Sequence, residues 1–244
     1  LYKKGIKNIE LVIFDMAGTT VRDQKEVETC FAQACKFTDL DVTEERILAL
    51  QGYSKIEVFR MLWNEKIGET HPDFVKNVQY SYENFKRILE EHYHSHTVLP
   101  TAHCLEIFEY LRVHDIKIAL TTGFYRKVTD IILNKLGWLD GLNSEYFNAS
   151  GKSIIDLSIA SDEVEKGRPQ PDMILKAVKT LGINDLKNVI NIGDTPSDLQ
   201  SGKSADVALS LGICNGTHSR DQLKNYRNDG LIADLSELKN ILER

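Results

Sequence analysis

The chain has 244 residues, with 30 Lys and Arg against 36 Asp and Glu, a formal net charge of -6, 42% apolar residues and 27% charged ones. That length can bury a substantial core, and the ordinary balance excludes a disordered, collagenous or membrane-embedded chain. The negative net charge speaks against broad nucleic-acid binding, which needs a basic surface to displace counterions. No apolar stretch approaches the length of a signal peptide or a membrane span, so the expected setting is cytoplasmic, with no membrane partner. Cys30, Cys35, Cys104 and Cys214 form no CxxC pair, which removes a disulfide framework and a zinc knuckle; they are read as small buried hydrophobes.

In chain order, Glu10 to Phe14 is a buried strand that runs into Asp15-Met16-Ala17-Gly18-Thr19-Thr20. From there to residue 100 the pattern turns helical, with Ser54 to Lys66 and Pro72 to about His96 as the clearest helices. Phe59, Trp63, Phe74, Tyr82 and Phe85 recur there at helical spacing and read as packing positions. His92 and His96, one turn apart, read as a polar helix end because no third ligand shares their face. Leu99-Pro100 then precedes a helix that returns to a strand at Lys117 to Leu120, and further strands follow at Asn188 to Ile192, Asp206 to Leu209 and Leu231 to Ala233. This βαβ rhythm predicts an α/β fold, a doubly wound, Rossmann-like parallel sheet. Its core is discontinuous, residues 1–21 and 100–244, with residues 22–99 inserted as an α-helical cap.

Ligands of an open parallel sheet lie beyond the carboxyl ends of the strands, so polar residues directly after apolar runs come first. Three runs end so, in Asp15, in Thr121-Thr122-Gly123 and in Gly193-Asp194-Thr195-Pro196-Ser197-Asp198; the turn Lys166-Gly167-Arg168-Pro169 adds a cation. Singly, an Asp after a strand is commonly a helix cap. Together the four segments describe a phosphate site. A carboxylate can attack an anionic phosphorus centre only if charge is neutralised. Asp15 and Asp194 can share one Mg²⁺, with the backbone carbonyl of Ala17 as a further oxygen ligand. Thr122, the amide of Gly123 and Arg168 would hold the phosphoryl oxygens, and Asp198 would orient this shell.

In order and spacing these four segments resemble the four motifs of the haloacid dehalogenase superfamily. The resemblance implies Asp15 as the nucleophile that becomes an aspartyl-phosphate, Thr122 as the second-motif hydroxyl, Arg168 as the third-motif cation, Asp194 as the metal-binding acid, and the inserted cap. Most phosphatases of the superfamily carry a second Asp two residues after the nucleophile, and here that position is Ala17; Arg168 stands where Lys is usual. Both departures resemble the phosphonatases, the phosphonoacetaldehyde hydrolase subgroup, as does the cap loop Gly52-Tyr53-Ser54-Lys55-Ile56-Glu57. In that subgroup the lysine matching Lys55 forms a Schiff base with the substrate aldehyde, and Gly52 of the same loop is a substrate-binding candidate. By position alone Lys55 reads as a solvated helix-start lysine; with Ala17 and Arg168 it reads as the electron sink that makes a general acid at residue 17 unnecessary.

The chain departs from the subgroup at Val58, where a histidine is usual, at Phe124, where tyrosine follows the glycine, at Gln51 in place of methionine, and near Lys25, where a cysteine is expected. The expected function is thus a Mg²⁺-dependent phosphonatase-like hydrolase acting on a small phosphorus-containing metabolite. The alternatives are a Mg²⁺-dependent phosphatase or phosphomutase acting on a small phosphate ester, and a catalytically impaired phospholigand-binding protein. The resemblance also allows a homodimer built on cap helices.

Overall fold

The computed structural model describes residues 8–243. The first seven residues of the expected core segment, and Arg244, lie outside the described residues. Strand β1 (Leu11–Asp15) is followed by four helices, α1 (Glu26–Phe37), α2 (Glu44–Ala49), α3 (Lys55–Ile67) and α4 (Phe74–Ser95). Then come α5 (Cys104–Val113), β2 (Lys117–Thr121), α6 (Arg126–Leu136), β3 (Leu157–Ile159), α7 (Asp172–Leu181) and β4 (Val189–Gly193). The chain continues through α8 (Pro196–Ala205), β5 (Leu209–Ile213), α9 (Arg220–Leu223), β6 (Gly230–Ile232) and α10 (Glu237–Leu242).

The six strands form one sheet in the order β3-β2-β1-β4-β5-β6, every neighbouring pair parallel. Successive side chains of a strand point to opposite faces. Val12 and Phe14 therefore join one apolar cluster with Ile118, Leu120, Ile190 and residues of α5, α6 and α10. Leu11 and Ile13 join another with Ala119, Val189 and residues of α7. The fold is a doubly wound α/β sheet, and its strand order reverses at β1, which is where such sheets leave a crevice at their carboxyl ends.

Two strands differ from expectation. Asp206 caps the end of α8 with left-handed φ of 58°, so β5 begins only at Leu209, after the chain has turned away from the helix. Strand β3 is three residues long, too short to show a pattern in sequence, and is held by pairing with β2. Cys30, Cys35 and Cys104 are buried, whereas Cys214 follows β5 and is only half-buried.

The chain passes between the sheet and α1–α4 twice, and the two crossings run side by side. Arg22 N donates to Leu99 O at 2.9 Å, and Thr101 N donates to Thr20 O at 3.0 Å. Helices α1, α3 and α4 enclose Phe31, Phe59 and Phe85, with ring centroids 4.9 to 6.1 Å apart. A buried polar chain ties the same helices: Trp63 Nε1 donates to Ser81 Oγ, which donates to Thr38 Oγ1, each at 2.9 Å. Phe74, Trp63 and Phe59 are buried and Tyr82 packs at the edge. His92 and His96 stack at 4.1 Å, and no metal-ligating cluster forms around them among the described residues. Phe85→Ala should remove about 3–5 kcal/mol of stability by opening a cavity between α1, α3 and α4. Urea unfolding checks this, and a loss below about 1 kcal/mol would be no more than an average substitution costs and would contradict the packing described.

Candidate active site

Asp15 closes β1 at the reversal point of the sheet, and its backbone carbonyl accepts the Thr20 hydroxyl at 2.9 Å, which fixes the turn beyond it. Asp194 follows β4. Thr195 then opens α8 as a capped helix: its hydroxyl accepts from Asp198 N, Pro196 takes a first-turn position, and Asp198 Oδ2 accepts Thr195 N at 3.0 Å. Local helix-start chemistry thereby brings Asp198 back toward Asp15 and Asp194. One oxygen from each of Asp15, Asp194 and Asp198 can be chosen so that all three lie within 4.8 Å of one another.

Arg168 is the cation among these three acids. Its Nη1 lies 2.5 Å from Asp15 Oδ1 and 2.7 Å from Asp198 Oδ1, while Nη2 donates to the carbonyl of Thr121 at 2.9 Å and to its hydroxyl at 2.6 Å. The guanidinium is therefore engaged on protein groups and orients the Asp15 carboxylate. Its hydroxyl partner is Thr121, the residue before Thr122. Thr122 accepts from Phe124 N at 3.1 Å and lines the cavity with Gly123 and Asp15.

One arginine does not balance three buried carboxylates. Burial pushes the Asp15 carboxyl well above the usual range, against the pull of Arg168 and helped by Asp198 and Asp194. Burial and the Asp198 charge push Asp194 up to about 7. Asp194 Oδ2 accepts Thr217 N at 2.6 Å, but its Oδ1 is buried with no hydrogen-bond partner. An excess of negative charge, an orphaned carboxylate oxygen and all-oxygen donors fit Mg²⁺. Asp15 and Asp194 are the residues that would hold it. Asp198 is already occupied by Arg168 and Thr195, and Ala17 lines the same cavity as Asp15.

Across the cavity stands the loop that opens α3. Gly52 has φ of +80°, a conformation suited to glycine, and a Cβ there would collide with the hydroxyls of Thr195 and Ser197. An ideal Cβ on Gly123 would lie 2.9 Å from Gly52 O, so the two glycines let the helical loop and the end of β2 meet backbone to backbone. Lys55 is thereby held inside, 6% exposed, instead of solvated as an average lysine at a helix start. Its Nζ donates to Gln51 Oε1 at 3.2 Å and Leu50 O at 3.4 Å and lies 5.5 Å from the centroid of the Phe31 ring. Burial lowers its pKa to about 8, against the opposing charge of Asp23. The helix N-terminus acts in the same direction as burial, because its dipole disfavours a cation.

Lys55, Gly52, Asp15, Ala17, Thr122 and Gly123 line one cavity of about 30 Å³. Among the other residues that line it, two that the sequence does not mark as site residues bear on Lys55. Gln51 looked like a mismatch, yet it holds the lysine amine and keeps a buried Nε2 without a partner. Asp23 lies in the unpatterned link before α1, where no periodicity could mark it; burial, then Glu26, pushes its carboxyl up to about 8. Val58, where a titratable side chain was sought, is fully buried, and Phe124 packs edge-on against Tyr93 at 6.0 Å.

The family model of the haloacid dehalogenase-like hydrolases matches residues 12–211, from β1 to β5. The chain belongs to that family. Among curated relatives, a phosphonoacetaldehyde hydrolase of Bacillus cereus is 30% identical over 240 residues, covering 89% of this chain and 81% of that protein. A bifunctional phosphonoacetaldehyde hydrolase/aminoethylphosphonate transaminase of Clostridioides difficile is 28% identical over 94% of this chain, which spans only 36% of that longer protein. Among solved structures, a phosphonoacetaldehyde hydrolase-like protein of Oleispira antarctica superposes with a TM-score of 0.76 at 19% identity, over all of this chain and 94% of that one. The fold is thus that of known relatives, and the chain groups with proteins named for phosphonate hydrolysis.

The raised carboxylates give the site a pH signature. A carboxyl whose folded pKa exceeds its unfolded value favours folding while protonated, so stability falls as pH rises from the ordinary range near 4 to the folded value, about 7 for Asp194. In Mg²⁺-free buffer the melting temperature should fall across that interval, and Mg²⁺ added at pH 7.5 should restore it. A melting temperature indifferent to Mg²⁺ at that pH would contradict the charge balance described.

Proposed function

We propose that this hydrolase cleaves the C–P bond of a small phosphonate whose next carbon but one from phosphorus is an aldehyde or ketone, with Asp15 as nucleophile and Lys55 as Schiff-base amine. The observation that carries the proposal is the pairing, across one small cavity, of a buried lysine amine with a strand-end carboxylate that has alanine two residues after it. An ester oxygen needs a proton to leave well, and Ala17 supplies none. A carbon leaving group needs an electron sink instead, and an iminium on Lys55 is one. The relatives named for phosphonoacetaldehyde hydrolysis support the same assignment.

Lys55, largely a free amine above about pH 8, adds to the carbonyl and forms an iminium. Asp15, aimed by Arg168, attacks phosphorus; the C–P electron pair moves into the iminium and leaves an enamine, and phosphorus is held as an aspartyl-phosphate. Thr122 and the amide of Gly123, both on the cavity wall, face the phosphoryl oxygens. Mg²⁺ held by Asp15 and Asp194, with the Ala17 carbonyl, would offset the charge that otherwise repels the attacking carboxylate. Water then hydrolyses the aspartyl-phosphate, the enamine takes on carbon the proton this releases, and a second water frees the carbonyl product from Lys55.

Phosphate release from phosphonoacetaldehyde, run beside p-nitrophenyl phosphate, tests this. The expected result is preferential turnover of the phosphonate that stops on chelation of Mg²⁺ and is lost in Lys55→Ala. Preference for the ester, surviving in Lys55→Ala, would replace the proposal with a phosphatase or phosphomutase activity.

A further inference from the structure

An imine cannot form at Lys55 without a proton for the departing oxygen, and the position three residues along, Val58, is a fully buried hydrocarbon. The titratable groups on the cavity wall are Asp15, Asp23, Tyr53 and Lys55. Asp15 is committed to Arg168 and to phosphorus, and Lys55 is the nucleophile, which leaves one phenol and one carboxyl; the carboxyl is the stronger acid.

Asp23 is placed for the task. It stands just beyond the paired crossings at Arg22–Leu99, and its Oδ1 accepts Glu26 N at 2.8 Å, which anchors the carboxyl at the start of α1. Asp23 and Lys55 line the same cavity, so an occupant that reaches the amine also meets the wall to which Asp23 belongs. The neighbouring Glu26 carboxyl has its pKa lowered, burial opposing but outweighed by hydrogen bonds from Asp23 and backbone amides, so of the two acids Asp23 keeps the proton.

We propose that Asp23 is the general acid–base of Schiff-base exchange at Lys55, a step that rests on the imine chemistry assigned above. Lys55 adds to the carbonyl, forming the C–N bond, and proton transfer from nitrogen to oxygen gives a neutral carbinolamine. Asp23 gives its proton to the carbinolamine oxygen; the C–O bond breaks, its electron pair leaves as water, and the nitrogen lone pair forms the C=N bond. The resulting carboxylate faces the iminium. When water later adds to the product iminium, Asp23 takes the proton from that water and returns to its starting form. The proton that converts the enamine carbon to the product iminium comes from the water that hydrolyses the aspartyl-phosphate.

The test is rapid-quench borohydride trapping with phosphonoacetaldehyde, with the adduct mapped to Lys55 by mass spectrometry, in the full chain and in Asp23→Asn. Asparagine keeps an oxygen to accept Glu26 N but has no acidic proton, and Asp23→Ser, whose hydroxyl can also accept a backbone N–H, is a second variant in case Asn fails to fold. Adduct formation should slow by about 10²-fold or more in both, within the usual range for a lost general acid, while phosphate, as product, binds as in the parent chain. A purely electrostatic Asp23 would give the opposite result: its charge raises the Lys55 pKa, so removing it frees more amine and speeds trapping. Trapping at the parent rate or faster in the variants overturns the role of Asp23 and leaves the imine intact. No Lys55 adduct in the parent chain overturns the imine, and this step with it.

Discussion

The site is organised by a charge imbalance sealed inside the protein. Asp15, Asp194 and Asp198 converge at the ends of β1 and β4, and Arg168 is the one cation placed among them. Buried carboxylates tolerate such crowding only by holding protons, by pairing, or by sharing a cation. The molecule uses pairing for Asp198, which is closed off by Arg168 and the Thr195 cap, and leaves Asp194 with an oxygen facing nothing. Hence the proposed division among three chemically identical side chains: Asp15 as a nucleophile aimed by arginine, Asp194 as the metal ligand, and Asp198 as a structural group.

The opposite wall follows the same logic with the sign reversed. Docking of Gly52 onto Gly123, Thr195 and Ser197 carries Lys55 out of water, and the carbonyl acceptors, the aromatic ring and the Asp23 charge around the ammonium do not offset its burial. The buried amine is thereby brought nearer to its neutral form, which is the form the proposed imine chemistry needs. In the proposed mechanism the sheet wall takes the phosphoryl group and the helical wall takes the carbonyl, and alanine at residue 17 is consistent with that arrangement.

Much of this was legible in the sequence because strand ends are. Asp15, Thr122 and Asp194 follow apolar runs whose period and placement announce them, and the Thr195-Pro196-Ser197-Asp198 signature announces a capped helix. What was hidden depended on tertiary contact. The hydroxyl that holds Arg168 belongs to Thr121, and nothing local separates it from Thr122. Gln51 matched no expected residue, and its use appears only when the loop folds its amide back onto Lys55. Asp23 sits where the chain has no period at all. In the fold, β3 carries no sequence pattern because it is three residues long, and Val207-Ala208-Leu209 is apolar enough to read as a strand although Asp206 still ends a helix and β5 starts only at Leu209.

In the proposed mechanism Asp15 on the sheet and Lys55 on the helices act on one small molecule at once. A crystal structure of Asp15→Ala, reduced with borohydride in the presence of phosphonoacetaldehyde and Mg²⁺, tests it most directly, because loss of the nucleophile stalls C–P cleavage after imine formation. The expected result is a covalent bond from Lys55 Nζ to the substrate carbon, with the phosphonate seated against Thr122, Gly123 and the vacated side of residue 15. A phosphonate bound there with its carbonyl carbon unattached, and Lys55 still turned to Leu50 O and Gln51 Oε1, would contradict the account.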